Sequence, residues 1–424
     1  MWSTLAVVVS GVVLVSSAPL PGPRLVEVAT LDASTIVSTR VAGTRLFVVV
    51  PGAIPQLMAV RLADGGRLWQ SPVAGDLGMV AIDVVGDTVL VSAVDPLARG
   101  PRTQALDVDT GRELWRSDLP RLTGVGVPGL VLVAAPLDKD GRPDPSLQGA
   151  RLDASAPLPL LVRALDARTG RPVWSYQVPA GWRTVLGYDP SGGDPVDLFV
   201  VVAPGGRASA VDLASGRVRA AATTPLDPAS AADGNHPEQR LALIGDQLLV
   251  GYLRQGQPTV TVYRARTLTP QWTGRVATLD LDGTRCPPLL CLHDRYGVRA
   301  VVPTTGVVVW TANGAAWFGL VDRWLYDEPQ PFQPGSARLI DPATTHTVLD
   351  LGRWRLAAQN PGQPPLFELV EESGRSWLGL LAPGPRIQAL GAVTDLPQNT
   401  CDVGTGYLAC MTTAHQLRIW HYRP

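Results

Sequence analysis

The string GVGVPG at residues 124–129 matches, letter for letter, the glycine pattern that cradles a dinucleotide phosphate. That chemistry needs a strand before the glycines and a helix after them, whose N-terminus faces the phosphate. Here Pro128 sits inside the pattern and LVLVAAP follows, so the string reads as a turn into a strand. Asp138, Asp140 and Asp144 cluster in LDKDGRPDP and could offer oxygens to calcium. The EF-hand spacing and its closing Glu are missing, and a solvated loop is the better reading. His236, His293, His346, His415 and His421 form no H-E-x-x-H and show no paired ligand spacing. No G-x-S-x-G nucleophile elbow and no Walker loop occurs. The sequence therefore nominates no catalytic residue, no metal ligand and no cofactor.

The four cysteines carry more information. Cys286, Cys291, Cys401 and Cys410 form no C-x-x-C, which removes the zinc-ribbon and thioredoxin spacings. Arg299 lies 8 residues after Cys291 and Arg418 lies 8 after Cys410, in the similar settings GVRAV and QLRIW. The two pairs thus read as one feature at equivalent places in a repeat. Of three connectivities this favours Cys286–Cys291 and Cys401–Cys410, two local staples of an oxidising compartment, over four free thiols.

Residues 1–23 contain no ionisable side chain, and the first charge is Arg24. Leu5–Val15 is almost wholly apolar, and the 17 residues from Trp2 to Ala18 have the length at the lower edge of a bilayer-spanning helix. An uncleaved anchor is the leading expectation, ahead of a cleaved secretory signal and of a buried strand. The basic flank typical of a signal is absent, and Pro19 would follow the small-x-small site at Ser16-Ser17-Ala18. Either leading reading places the remainder, residues 24–424, outside the cytoplasm.

That remainder is rich in turns. The chain has 424 residues, of which 43 are Gly and 39 Pro, near a fifth together. Charged residues make up 17%, below the usual ~25%, which argues against disorder and coiled coil. Lys plus Arg is 36 and Asp plus Glu 37, so no excess charge points to nucleic acid.

One pattern recurs. AVRLADGGRLW ends at Trp69, ALDVDTGRELW at Trp115, ALDARTGRPVW at Trp174 and AVVPTTGVVVW at Trp310, with Gly four residues before each Trp. Degenerate copies keep the register. AVDLASGRVRA has Ala220 in the Trp place, VYRARTLTPQW ends at Trp272 with Leu268 in the Gly place, and LIDPATTHTVL has Leu349 in the Trp place. Each copy reads as a β-hairpin whose turn needs Gly for positive φ and Asp or Thr to cap amides. Another hairpin precedes it, as in AIDVVGDTVLVSAV and LALIGDQLLVGYL. Four strands at a period of about 45–48 residues predict an all-β chain, a β-propeller. Joints at Trp69, Trp115, Trp174, Ala220, Trp272, Trp310, Leu349 and near Leu390, with strands at 399–422, allow nine divisions. Propellers ordinarily hold four to eight blades, so eight are expected, within a range of seven to nine. The run LVEVATL at 25–31 has no hairpin partner nearby. It is expected beside 416–422 as the outer strand of the last blade, closing the ring.

The string A-x-D-x-x-T-G-x-x-x-W, as in ALDVDTGRELW and ALDARTGRPVW, resembles the repeat of pyrroloquinoline-quinone-like propellers. That superfamily includes quinoprotein dehydrogenases, an outer-membrane-assembly lipoprotein and many envelope proteins. The resemblance covers about residues 40–350 and speaks to fold more than to function. It implies that Trp69, Trp115, Trp174, Trp272 and Trp310 dock one blade on the next. The dehydrogenases of the family share an adjacent Cys-Cys pair over the cofactor, and this chain has none.

Function on a rigid ring sits in loops and in the central channel. The longest insertions are 137–158, 222–239 and 326–336. The third, with Trp324, Tyr326 and Phe332, is the candidate interaction surface, since aromatic residues are enriched at interfaces. The expectation is a membrane-anchored extracytoplasmic monomeric ring that serves as a binding or assembly scaffold for an unidentified envelope protein. The alternative is a carbohydrate-active or quinone-dependent enzyme using the channel, marked by channel carboxylates about 5–9.5 Å apart.

Overall fold

A computed structural model describes residues 24–423, other than 33–35, 37, 74–79, 94–102, 123–126, 145–157, 187–196, 204, 226–239, 277–278, 280–281, 295–296, 314–316, 329–335, 361–362, 372–373 and 398–399. Side chains at 93, 282–285, 293–294, 313 and 317–319 are likewise outside the described set.

Long apolar runs set the inner part of each blade. The second strands, such as Arg45–Val50 (RLFVVV) and Leu198–Val202 (LFVVV), are buried along nearly their whole length because both faces meet a neighbouring blade. Outer strands such as Arg67–Pro72 alternate buried and exposed residues, as expected where only one face is covered. Each blade is an antiparallel meander running outward from the channel. In blade 1 the order is Ser38–Ala42, Arg45–Val50, Gln56–Arg61, Arg67–Pro72.

Nine such sheets occur among the described residues. They cover 38–72, 80–117, 130–178, 183–223, 240–275, 282–313, 317–352 and 355–394, with the ninth formed by 401–422 and 25–32. The expected eight is corrected to nine, within the range read from the sequence. Eight sheets have four strands and the third has three. There the inner strand shrinks to a bridge, Arg121 against Val133, supported by Leu122 N donating to Leu132 O at 2.9 Å.

The ring closes as the sequence predicted. Leu25–Asp32 pairs antiparallel with Gln416–Tyr422, from Leu25 opposite Tyr422 to Asp32 opposite Gln416. Nine apolar layers run round the circle, one between each pair of neighbouring blades, including Val41, Leu46 and Val48 of blade 1 against Leu417 and Ile419 of blade 9.

The joints share one construction. Trp69 Nε1 donates to Val108 O at 3.1 Å, Trp115 to Ala167 O at 2.9 Å, Trp174 to Leu213 O at 2.9 Å, Trp272 to Pro303 O and Trp310 to Pro342 O, both at 2.8 Å. Each indole lies under the turn of the following blade. A Cβ on Gly111 would stand 2.4 Å from Trp69 Cε3, so glycine there serves close approach as well as its positive φ of 68°. In the closing joint Ala29 takes the indole's place, 2.3 Å from a Cβ built on Gly65.

Both disulfides form, Cys286–Cys291 and Cys401–Cys410, each across the inner hairpin of its blade. They are not quite equivalent. Cys401 lies directly opposite Cys410, whereas Cys286 pairs in register with Leu289 and reaches Cys291 past the turn.

Candidate functional site

Within a blade, the turns between strands one and two and between strands three and four share one face, here the upper face. A cavity of about 500 Å³ opens there between blades 7 and 8. Three separate stretches build it. The turn at Asp322 and Arg323 leads into Trp324, the loop at 359–365 brings Gln359, Asn360 and Gln363, and the turn at 383–385 adds Pro383 and Pro385. The Arg323 guanidinium stacks over the Trp324 ring, 4.5 Å from its centroid.

Hydrogen bonds hold the middle loop. Asn360 Nδ2 donates to Val403 O at 2.7 Å and to Asp402 Oδ1, while Gln363 Nε2 donates to Thr405 Oγ1 at 3.2 Å. Asp402 also accepts from Val41 N at 2.5 Å, so one carboxylate ties blades 8, 9 and 1 together. Beneath it a second cavity of about 450 Å³ lies between the inner strands of those blades, with Ser38, Arg40, Thr400 and Asp402 in its walls.

The channel wall is polar and rich in arginine. Arg121 Nη1 lies 2.8 Å from Asp83 Oδ2, and Arg40 reaches the same carboxylate at 4.0 Å. Burial, with Arg240 nearby, pushes the Arg183 guanidinium below its ordinary range. Arg355 pairs with Glu328 at 3.1 Å. These carboxylates are held by arginines or backbone amides. Glu368 differs: it is buried between blades 8 and 9, and burial pushes its carboxyl upward. It opens onto neither cavity.

Of the three aromatic residues expected to form a surface, the structure keeps Trp324 at the cavity wall, partly exposed. Tyr326 is corrected to a core residue. It is fully buried, stacks edge-on with Phe367 at 6.0 Å, donates to Glu328 Oε2 at 2.9 Å and accepts from Leu356 N at 3.1 Å. The start of the insertion at 326 is instead the second strand of blade 7, Trp324–Glu328, and this strand is buried along its middle. Phe332 lies outside the described residues, as do 145–157 and 226–239 of the other two insertions. Sequence reasoning missed Asn360, Gln363 and Asp402, whose partners are 42 or more positions away in the chain.

Among the described residues the side chains do not gather into the quinone–calcium arrangement of the dehydrogenase branch. All four cysteines are spent in disulfides between non-adjacent residues. Among the described residues no group of three or more His, Cys, Asp or Glu is gathered for a cation. Asp138 instead accepts from Asp140 N and Arg142 N at 2.9 and 2.8 Å, capping its own turn.

Fold and joints together define a closed propeller of the pyrroloquinoline-quinone-like class. Residues 15–141 and 126–312 match the family described as outer membrane protein assembly factor BamB, and the chain belongs to that family. Membership fits a protein-assembly scaffold. No curated protein matches the chain. Among solved structures it is similar to BamB from Moraxella catarrhalis, 16% identical over 69% of this chain and 82% of that one, with a TM-score of 0.39. It is also similar to the quinohemoprotein alcohol dehydrogenase from Comamonas testosteroni, 12% identical over 94% and 76%, TM-score 0.45. A eukaryotic initiation factor is 10% identical over 86% and 91%, TM-score 0.55, a likeness of fold alone.

Proposed function

We propose that this chain is a membrane-anchored, extracytoplasmic scaffold that binds an envelope protein on its upper face and performs no chemistry of its own. The observation that carries the reading is the Trp324 cavity. Its amides and the nearby Asp402 are engaged in holding loops, and what it offers to a partner is an arginine-stacked indole ringed by prolines. Such a surface suits an extended peptide segment, with Trp and Arg as anchors. Family membership supports the assembly role, and the uncharged apolar stretch before Arg24 supports the anchor. A carbohydrate-active or quinone-dependent enzyme is the weaker reading, because among the described residues the inner-strand carboxylates Asp83 and Asp402 are tied up.

A photo-reactive amino acid at Gln363 in the native membrane should trap one protein partner, identified by mass spectrometry. Trp324→Ala should reduce that adduct at least several-fold in a ring that still folds and melts cooperatively, at a somewhat lower temperature because Trp324 packs on the layer between blades 7 and 8. An adduct of undiminished yield in Trp324→Ala, or none at Gln363, contradicts the reading.

A further inference from the structure

Nine large hydrophobic side chains are exposed among the described residues, and their distribution is uneven. Seven lie on or, for Val307, just before the upper halves of outer strands, within three residues before the position the joint indoles occupy: Val26, Leu68, Val173, Val218 and the valines at 307–309. Val307 is 60% exposed and Val173 52%. Only Ile54 and Val370 lie elsewhere, both toward the lower face. At the exits of the turns between third and fourth strands stand the exposed arginines Arg112, Arg171 and Arg217, with Arg171 two residues before Val173 and Arg217 directly before Val218. Their guanidinium groups have no ion-pair partner among the described residues, whereas other upper-face arginines do, such as Arg45 with Asp109 and Arg266 with Asp197.

The chain enters the fold on this same rim. Leu25 pairs with Tyr422, and Arg423 N donates to Arg24 O at 3.0 Å, at the upper end of the ninth blade. Between Ala18, the last residue of the apolar stretch, and Leu25 lie only PLPGPR. Six residues span at most about 20 Å when fully extended, and prolines stiffen them. A ring held on so short a tether presents its upper face to the bilayer.

We infer that the upper rim is a membrane-facing surface that seats on anionic headgroups, the outer-strand valines entering the interface and Arg112, Arg171 and Arg217 meeting lipid phosphates. This inference rests on the anchor reading above. Apolar residues interleaved with cations suit the headgroup boundary, and the cationic share of the attraction weakens with salt. The seat also turns the Trp324 cavity toward the membrane, where it meets a partner segment emerging from the bilayer.

The test uses the full chain reconstituted in phosphatidylcholine vesicles containing phosphatidylglycerol and a headgroup nitroxide lipid. A bimane probe is placed at Val308→Cys on the rim or at Ile54→Cys on the lower face. The chain should sediment with the vesicles, and the rim probe should be quenched at least threefold more than the Ile54 probe. Replacing Arg112, Arg171 and Arg217 by Ser, or raising salt from about 0.1 to about 1 M, should narrow that ratio with the chain still bound. Equal quenching, or stronger quenching at Ile54, in vesicle-bound chain overturns the seat and leaves the anchor standing. A chain that stays in the supernatant overturns the anchor and the seat with it.

Discussion

Leu268 packs into the layer between blades 4 and 5 together with Ala220, and each residue departs from the joint rule in the way that compensates the other. At four other joints an indole lies under a glycine: Trp69 under Gly111, Trp115 under Gly170, Trp174 under Gly216, Trp272 under Gly306. Here the indole is gone, the glycine has become leucine, and the leucine side chain, 2% exposed, fills the space. Leu268 keeps the left-handed backbone of the glycine it replaces, with φ of 50°, a conformation that costs a branched residue about 1 kcal/mol.

The pair should therefore behave as a swap. Leu268→Gly alone opens a cavity and should cost about 2–4 kcal/mol. Ala220→Trp alone overfills the joint and should cost about 1–3 kcal/mol. The double variant recreates the indole-on-glycine joint and should recover most of both losses. Thermal or urea unfolding of the four proteins gives the coupling energy, and simple additivity would mean that the two sites do not share the joint.

At an intact joint the glycine itself is the sensitive residue. Gly111→Ala places a Cβ within 2.6 Å of two Trp69 ring atoms at a φ of 68°, so stability should fall by about 1–3 kcal/mol. Gly43→Ala has a similar φ of 58° and nothing within 4 Å. It should cost only the backbone share, about 1 kcal/mol, and the difference between the two variants measures the indole contact.

The protein purified from its native compartment should carry no alkylatable thiol, and non-reducing peptide maps should link 286 to 291 and 401 to 410. Replacing Cys401 and Cys410 together by Ser should cost about 2–3 kcal/mol, given a sequence separation of 9. Four reactive thiols would contradict the extracytoplasmic reading.

Glu368 gives a pH dependence with a definite sign. Burial raises its carboxyl pKa, and Ser376 beside it eases the shift without closing a hydrogen bond to Oε1. The fold favours the protonated form, so the residue's contribution is fully present below its ordinary value of 4.5 and is lost as pH rises through the raised folded value. Glu368→Gln should stabilise the ring by about 1–2 kcal/mol at neutral pH and by much less near pH 4. Melting curves across that range check it, and a gain independent of pH would rule out titration of Glu368 as its source.

Much of this architecture was readable in the sequence for a physical reason. The Gly-to-Trp spacing records a contact between neighbouring repeats, so Trp69 and Gly111 mark their joint even without coordinates. The same logic located Ala220 and Leu268 as irregular copies, although only the structure shows that they face each other. The blade count fell short although nine divisions were visible, the last at 399–422, because the usual size of propellers, four to eight blades, outweighed the count. The cavity was not legible at all. Its walls come from residues near 323, 360 and 384, brought together by the ring rather than by any local pattern.

The claim beneath all of these is that the ends of the chain lock together through Leu25–Asp32 against Gln416–Tyr422. Thermal unfolding of two truncated chains tests it most directly. Removal of residues 1–23 should leave a soluble ring with an unchanged melting temperature. Removal of residues 1–32 takes away the outer strand of blade 9 and Ala29 with it, and the melting temperature should drop by ten degrees or more, with exposed edges driving aggregation. Two truncations that melt alike would show that the ring does not depend on this strand, and the closed-propeller account would be wrong.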